Sequence, residues 1–393
     1  AHGDHFTFAM AADKLSFFEA MEQLALKAGV TLPKPDAQDV EADKARERLY
    51  QVNDAAATMF ESLLHTTANA EVMQYLTARG LTEETLRGFR LGYAPQDGGF
   101  LIKYLGDQGF TPQEMVEAGL ARQTDGRTYS FFRDRVMFPV ADRRGRIIAF
   151  GGRTLPEHLR PPSDKAPKYL NTGDTPLFHK SKTLYAQALA RQGAIDKEPL
   201  IVVEGYMDAI ALHQHGFKGA VAPLGTALTE GQIEILWSMD HGTIKEPILA
   251  FDGDKAGRSA AVRAIDRVLP LLKSGHSLKV LFLPEGEDPD TLLLRQGPPA
   301  MRMLLNQAMP LVDFIWDHWR SSMRLDTPEA RAQARTMLRD HLNAITDNDI
   351  KSLYRQELNG RLDALLAPAA ADRDRDTCLG GELRRDLGGA GRG

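Results

Sequence analysis

Cysteine is almost absent. Cys378 is the single one in 393 residues, which excludes an internal disulfide framework and fits a reducing compartment. No apolar run is long enough to span a bilayer, and the first residues carry no secretory pattern. A cationic surplus is missing too: the net charge is −5, which by itself does not announce a polyanion-binding protein. His213 and His215 have no metal-ligand spacing with any acid or with the cysteine, so both read as exposed helix residues. Residues 367–393 lack hydrophobic periodicity and are rich in Ala, Gly, Arg and Asp; a disordered tail is expected there.

What is present is unevenly placed. A length of 393 residues allows two or three domains, and a hydrophobic fraction of 43% supports a sizeable core. Residues 121–182 hold 13 Lys/Arg against 6 Asp/Glu, a local surplus of 7 positive charges. The acids concentrate elsewhere. A basic surface beside an acidic cleft suits an enzyme that handles phosphate backbones.

The N-terminal third reads as helices. Apolar spacing predicts them over 15–28, 40–64, 71–79 and 82–89, and again within 101–119, with Thr111 and Pro112 as cap and first position. After Gly119 the texture turns to antiparallel strands, notably 136–140 and 146–150 around a turn at 142–145. Residues 155–167 are proline-rich and charged, a surface loop. Strands at 200–203, 219–222, 247–252 and 278–283 then alternate with helices at 207–215, 229–239 and 255–272, the pattern of a small parallel α/β unit. From Thr291 to about Leu366 only helical spacing is expected.

Three of those strands end in carboxylates. L-I-V-V-E-G-Y-M-D spans 200–208, I-L-A-F-D-G-D spans 248–254, and V-L-F-L-P is followed by G-E-D-P-D at 286–290. In an open parallel sheet, ligands bind beyond the carboxyl ends of the strands, so Glu204, Asp208, Asp252, Asp254, Asp288 and Asp290 converge on one edge. Six acids there would repel one another and resist ionisation unless cations sit among them; oxygen ligands of this kind suit Mg2+ or Mn2+. Any one of these acids alone reads equally well as a carboxylate opening a helix. The i, i+2 pairs Asp252/Asp254 and Asp288/Asp290 are more specific, because extended backbone projects both members to one side.

V-E-G-Y-M-D, F-D-G-D-x-A-G and G-E-D-P-D together resemble the Toprim domain of topoisomerases and primases. R-V-M-F-P-V, I-A-F-G-G-R, P-K-Y-L-N, F-H-K and L-G-T-A-L-T narrow the resemblance to the bacterial DnaG-type primase, over residues 3 to about 366. That resemblance implies an α/β chain with an α+β N-terminal subdomain, a Toprim-type parallel α/β subdomain and a C-terminal helical subdomain. Its expected divisions are 1–31, the remnant after a missing zinc ribbon; 32–190, the basic subdomain of the polymerase core; 191–290, the Toprim metal-binding subdomain; 291–366, helical; and 367–393, the tail. It implies a DNA-directed RNA polymerase making short primers on single-stranded DNA from ribonucleoside triphosphates. Glu204, Asp252 and Asp254 match catalytic acids, and Glu204, Asp208, Asp252, Asp254, Asp288 and Asp290 the Mg2+ or Mn2+ ligands. Glu204 is left open as ligand or as base. Arg79, Arg153, Lys168, Asn171 and Lys180 match the nucleotide- and template-facing positions. Zinc is expected only in the missing N-terminal domain, and the replicative helicase only through a C-terminal domain missing here. The family's setting is the bacterial cytoplasm, at replication forks; no membrane is involved. One departure is the segment between Arg153 and Lys168, longer than the family's usual loop.

Other readings are weaker. A Toprim nuclease or topoisomerase fragment is the alternative. A topoisomerase needs a tyrosine on a separate DNA-binding domain, and nothing after Thr291 reads as one. An ATPase-linked nuclease needs a P-loop, and no G-x-x-x-x-G-K-[ST] occurs. A non-catalytic scaffold would lack the full acidic set. Within the basic window, Arg122, Arg143 and Arg144 read as a solvated strand face. Tyr206, Met207, Trp316 and Trp319 read as packing residues.

Overall fold

A computed structural model describes residues 17–30, 37–160, 167–225 and 227–367. The expectations on residues 1–16, on the loop portion 161–166 and on the tail with Cys378 lie outside them. The helices α1 (Phe17–Ala28), α2 (Ala37–Leu64), α3 (Ala70–Ala78) and α4 (Glu83–Gly88) lead into β1 (Gly92–Ala94). Two short helices follow, α5 (Gly98–Asp107) and α6 (Pro112–Glu117). Thr111 caps α6 reciprocally with Glu114, and Pro112 occupies its first turn, as the Thr-Pro signal predicts.

β2 (Ala121–Thr124) and β3 (Arg127–Ser130) form a separate hairpin through the Asp125-Gly126 turn. β4 (Arg135–Ala141), β5 (Ile147–Thr154) and β6 (Tyr169–Asn171) join β1 in an antiparallel sheet of order β1-β4-β5-β6. Pro139 sits in β4 past the end of β1, where that strand has a neighbour on one side only, so its missing N–H is tolerated. The three-residue β1 carries no sequence signal of its own.

After α7 (Gln187–Ile195) the parallel unit begins. β7 (Ile201–Val202), α8 (Tyr206–Gln214), β8 (Ala220–Val221), α9 (Glu230–Met239), β9 (Ile248–Phe251), α10 (Lys255–Val268) and β10 (Lys279–Phe282) alternate as expected. The sheet order is β11-β10-β9-β7-β8, with β11 (Met309–Pro310) antiparallel at the edge. β11 corrects the purely helical expectation after Thr291; a two-residue edge strand has no periodicity to read. The helices α11 (Pro289–Asn306), α12 (Leu311–Ser322), α13 (Pro328–Leu342) and α14 (Asn348–Leu366) complete the chain, α11 breaking at Gly297 ahead of Pro298 and Pro299. No described helix is long and apolar enough to cross a membrane.

Strand alternation sends the parallel sheet's residues into two cores. Ile201, Val203, Ile248, Ala250 and Leu281 pack with Ile210 of α8 and Leu292 of α11. Val202, Leu249, Phe251 and Val280 pack with Leu236 of α9, Ile265 of α10 and Trp319 of α12. Trp319 is buried and Trp316 partly so, in agreement with a packing role. Tyr206 and Met207 are buried as well.

His213 differs from expectation. It is 3% exposed, its Nε2 lies 2.8 Å from the Ala220 carbonyl oxygen, and its ring meets Phe89 edge-on at 5.5 Å. α8 is covered nearly all round, so the amphipathic rule has no solvent face to assign there. Burial pulls the His213 pKa down to about 4. The unfolded chain therefore binds the proton first as pH falls from about 6.5 toward 4, and this contribution to stability is lost over that window. The melting-temperature deficit of His213→Gln is accordingly expected to be largest at pH 7 and to shrink by pH 5. A deficit independent of pH would overturn the assignment of a buried neutral imidazole.

Candidate active site

Strand order reverses between β7 and β9: the chain moves outward to β8, then crosses back over β7 to β9. Crevices at such switch points, beyond the strand carboxyl ends, are where open α/β sheets take ligands. Glu204 stands two residues past β7, and Asp252 directly follows β9. The β9 loop turns tightly. A Cβ on Gly253 would meet the Leu283 carbonyl oxygen at 2.3 Å, so only glycine lets this loop approach the end of β10. Asp254 then caps α10, its Oδ1 accepting from Gly257 N at 2.7 Å.

A second group of acids lies alongside. Asp208, in the first turn of α8, accepts from Gly205 N at 3.0 Å. Asp288 caps α11 and accepts from Thr291 N at 3.0 Å and from its hydroxyl at 2.7 Å. Asp290, in the first turn of α11, is ion-paired with Arg79. One ligand oxygen from each of Asp208, Asp288 and Asp290 falls within 4.8 Å of the others. The extended-backbone reading of the 288/290 pair is corrected here: Pro289 opens a helix, so cap geometry, not strand alternation, brings the two carboxylates together.

The six acids thus form a cluster of three with a flank of three. Asp252 links them, feeling Glu204, Asp288, Asp254 and Asp290; burial first, then these neighbours, push its pKa up to about 6. Glu204 is raised by burial and by Asp254, against the Asp252 backbone amide and Arg263. Asp208 is raised well above the usual range by burial and by Asp288, Asp290 and Asp252. Burial also opposes ionisation of Asp288, but hydrogen bonds with Asp290 and Thr291 outweigh it and bring the pKa to about 2. Asp290 is pushed up to about 6 by burial and by its bond with Asp288, against Arg79.

These residues fit a hard cation. The donors are all carboxylate oxygens, and Asp290 Oδ1 is buried without a hydrogen-bond partner. An ion at Asp208, Asp288 and Asp290 satisfies that atom and removes the repulsion that holds protons on the cluster.

The basic residues divide. Arg79 faces inward to Asp290, so part of its charge is committed to the acid cluster. Arg153 lies 5.7 Å from the Tyr75 ring and 5.8 Å from the Tyr169 ring, and its buried Nη1 has no hydrogen-bond partner. Lys168 is exposed, with Nζ 5.9 Å from the Tyr169 ring. Lys180 is half-buried on a short 3-10 turn; its N–H donates to Asp174 Oδ1 at 3.1 Å, and its carbonyl accepts from Gln232 Nε2 at 3.0 Å. Asn171 has its amide engaged at both ends: Oδ1 accepts from Tyr206 OH at 2.7 Å, and Nδ2 donates to the Leu224 carbonyl at 3.0 Å. It keys β6 of the antiparallel sheet to α8 and the loop after β8. Arg122, Arg143 and Arg144 are exposed.

Sequence reasoning missed three participants. Tyr206 does more than pack: it stacks on Phe138 at 5.0 Å and holds Asn171. A Cβ on Gly151 would strike its ring at 2.5 Å. Thr291 fixes Asp288, and the D-x-x-T spacing was the available signal. Arg263 faces Glu204 from α10, at helical spacing that carries no such hint.

Known proteins resemble this chain over most of its length. The family model for the N-terminal domain of the DNA primase catalytic core matches residues 59–191, and the Toprim domain model matches 198–282. The DNA primase of Escherichia coli K12 is 37% identical over 383 residues, covering 95% of this chain and 64% of that protein. The DNA primase of Pseudomonas aeruginosa is 40% identical over 366 residues, covering 91% of this chain and 54% of that protein. The chain thus spans less than two thirds of these curated relatives. Among solved structures, a DNA primase domain from Pseudomonas aeruginosa aligns with TM-score 0.73 and 42% identity, over 79% of this chain and 95% of that one. A DnaG primase catalytic domain bound to single-stranded DNA aligns with TM-score 0.73 and 37% identity, over 82% and 98%.

Proposed function

This chain belongs to the DnaG-type DNA primase family, and from that membership we propose that it is a primase catalytic core, synthesising short RNA on single-stranded DNA from ribonucleoside triphosphates. The observation that carries this reading is the convergence of Asp208, Asp288 and Asp290 within 4.8 Å, joined by Asp252 and Glu204 at the switch point of the sheet. In this reading residues 32–190 form the basic subdomain, 191–290 the metal-binding subdomain and 291–366 the helical subdomain. By the same membership its setting is the bacterial cytoplasm at the replication fork, with the replicative helicase as partner.

Glu204, Asp208, Asp252, Asp254, Asp288 and Asp290 hold the divalent ions, Mg2+ or Mn2+. When bound, such ions lower the pKa of the primer 3′-hydroxyl and neutralise the departing pyrophosphate. Arg153, Lys168 and Lys180 supply cations for template or triphosphate oxygens, Arg153 able to do so bidentately. Arg79 holds Asp290 in position, and Asn171 with Tyr206 fixes the basic sheet against the acidic edge. Most of the rate enhancement is then positioning and charge compensation.

Incubation with single-stranded template, ribonucleoside triphosphates and Mg2+ or Mn2+ is expected to yield short labelled RNA, and none in EDTA. Nicked or degraded DNA in place of RNA would support the Toprim nuclease reading instead. Lys168→Ala is expected to weaken template binding and to reduce the slope of log K against log salt by about 0.7, the share of one phosphate contact on a single strand. An unchanged slope removes Lys168 from the template path.

A further inference from the structure

A second cationic site lies at the opposite end of the antiparallel sheet. Along β5, Ile147 and Arg153 stand six residue steps apart, about 20 Å of extended chain. Its Arg153 end meets the acidic edge. Beside its other end, under the β4–β5 turn, opens a cavity of about 650 Å³, within the size range of small-molecule sites.

Its walls are of two kinds. Tyr50, Ile148, Leu177, Ile235 and Met239 give an aromatic and aliphatic side. The other side is cationic: Arg143 and Arg144 on the turn, Lys182 on the 3-10 turn and Arg191 on α7. These four cations form no ion pair with any described carboxylate. The one carboxylate in the lining is otherwise engaged. Asp142 accepts from Arg144 N at 2.8 Å, from Arg146 N at 3.0 Å and from Arg146 Nε at 3.0 Å. Arg146 in turn lies 3.7 Å over the Tyr50 ring and donates to its hydroxyl at 2.8 Å, so that ring is held rigidly at the cavity wall. His179, also in the lining, lies 3.7 Å from Asp174.

We infer that this cavity binds a nucleoside di- or triphosphate, its base on the Tyr50–Met239 side and its phosphates among Arg143, Arg144, Lys182 and Arg191. Concave shape plus an apolar wall selects a compact ligand with a ring system; four uncompensated cations at one side select its polyphosphate. No carboxylate cluster lines this site, so binding needs no divalent ion. That separates it from the acidic edge, where carboxylates repel a triphosphate until cations intervene.

The test uses the chain as it stands, in EDTA, with a fluorescent N-methylanthraniloyl-ATP as probe and anisotropy as readout. Saturable one-to-one binding is expected. Inorganic tripolyphosphate should displace the probe, adenosine should not, and Asp252→Asn should leave the affinity unchanged. The double variant Arg144→Ala/Arg191→Ala, which truncates exposed side chains on two walls, should weaken binding by about tenfold or more, each lost charge-assisted contact being worth at least several-fold. Its melting temperature checks that the fold is intact. No binding in EDTA, or unchanged binding by the double variant, overturns the assignment. So does displacement by a short oligothymidylate at equal phosphate concentration, which would make the cavity a strand contact. RNA synthesis in Mg2+ is measured separately, so loss of this site and loss of the catalytic reading remain distinguishable.

Discussion

Asp252→Asn protein is expected to melt cooperatively, at or above the wild-type temperature, and to make RNA roughly 10³-fold more slowly in Mg2+, the order of losing a preorganised charge at a reacting centre. The two effects share one cause. Asp252 is half-buried among Glu204, Asp254, Asp288 and Asp290, and its pKa rises to about 6. Near pH 7.5 and without metal it is ionised against its neighbours, a repulsion that folding must carry; the amide keeps the shape and removes the charge. Because the folded state holds these protons more tightly than the unfolded state, stability falls as pH rises from about 4 through about 6, for Asp252 and equally for Asp290. Asp288, lowered to about 2, acts in the opposite sense and below that window. His213 acts in the opposite sense inside it, but equally in both proteins, so it cancels from the comparison. The variant's thermal advantage is therefore expected at pH 7.5, on the order of 2–4 °C per kcal/mol relieved in a domain of this size, to narrow by about half at pH 5 and to close by about pH 4. Added Mg2+ or Mn2+ should raise the wild-type melting temperature more than the variant's. A well-folded Asp252→Asn that still polymerises near the wild-type rate with Mg2+ would remove the acid from the mechanism.

The acids are legible in the sequence because a short apolar run followed at once by carboxylates occurs three times over, at the spacing of successive parallel strands. Their grouping is not. Asp288 and Asp290 meet through a helix cap closed by Thr291, which a reading of the pair as extended backbone passes over. Arg79 reaches Asp290 across 211 residues of chain, a pairing with no local trace, so its basic character alone sends it toward template. Asn171 is similar: the motif around it is visible, but that its amide spans Tyr206 and Leu224 follows from how the two sheets face one another. His213 fails for the converse reason. Local pattern reading assumes a helix with a wet side, and α8 has neighbours nearly all round. The alternating strands and helices from 200 to 283 are plain in the sequence, because each buried strand is short, branched and bounded; β1 and β11, of three and two residues, are too short to carry any period.

The two sheets meet where the chemistry is proposed. Tyr206 begins the helix after Glu204, stacks on Phe138 of β4 and donates to Asn171 of β6. Phe138 and Tyr206 belong to one core that also takes in Ile201 and Ile248 of the parallel sheet. The basic strands and the acidic loops are thereby held at fixed spacing by packing rather than by a linker, which is what a site that must align a template, a primer end and a triphosphate requires.

Gly253→Ala is expected to abolish RNA synthesis as completely as loss of an acid, while leaving all six carboxylates in place. A Cβ there would lie 2.3 Å from the Leu283 carbonyl oxygen and 2.8 Å from Pro284 backbone atoms. None of these is the end of a flexible side chain, so relief comes only by moving the β9 loop from the end of β10. The Leu283 N–H to Phe251 carbonyl bond of 2.9 Å lies directly in that path. Overpacking of this kind costs about 1–3 kcal/mol, and it displaces Asp252 and Asp254 relative to Asp288 and Asp290. The informative control is Gly286→Ala on the neighbouring loop. Gly286 has φ +80° and open space around its missing Cβ, so alanine there costs roughly 1–2 kcal/mol of left-handed strain without a collision. Both variants should melt lower than wild type. Gly286→Ala should still gain stability on addition of Mn2+ or Mg2+; Gly253→Ala should gain little, because its acids no longer meet around one point. Equal metal-induced stabilisation in the two variants would mean that the close approach of β9 and β10 is structural only, and that the acids find their ions without it.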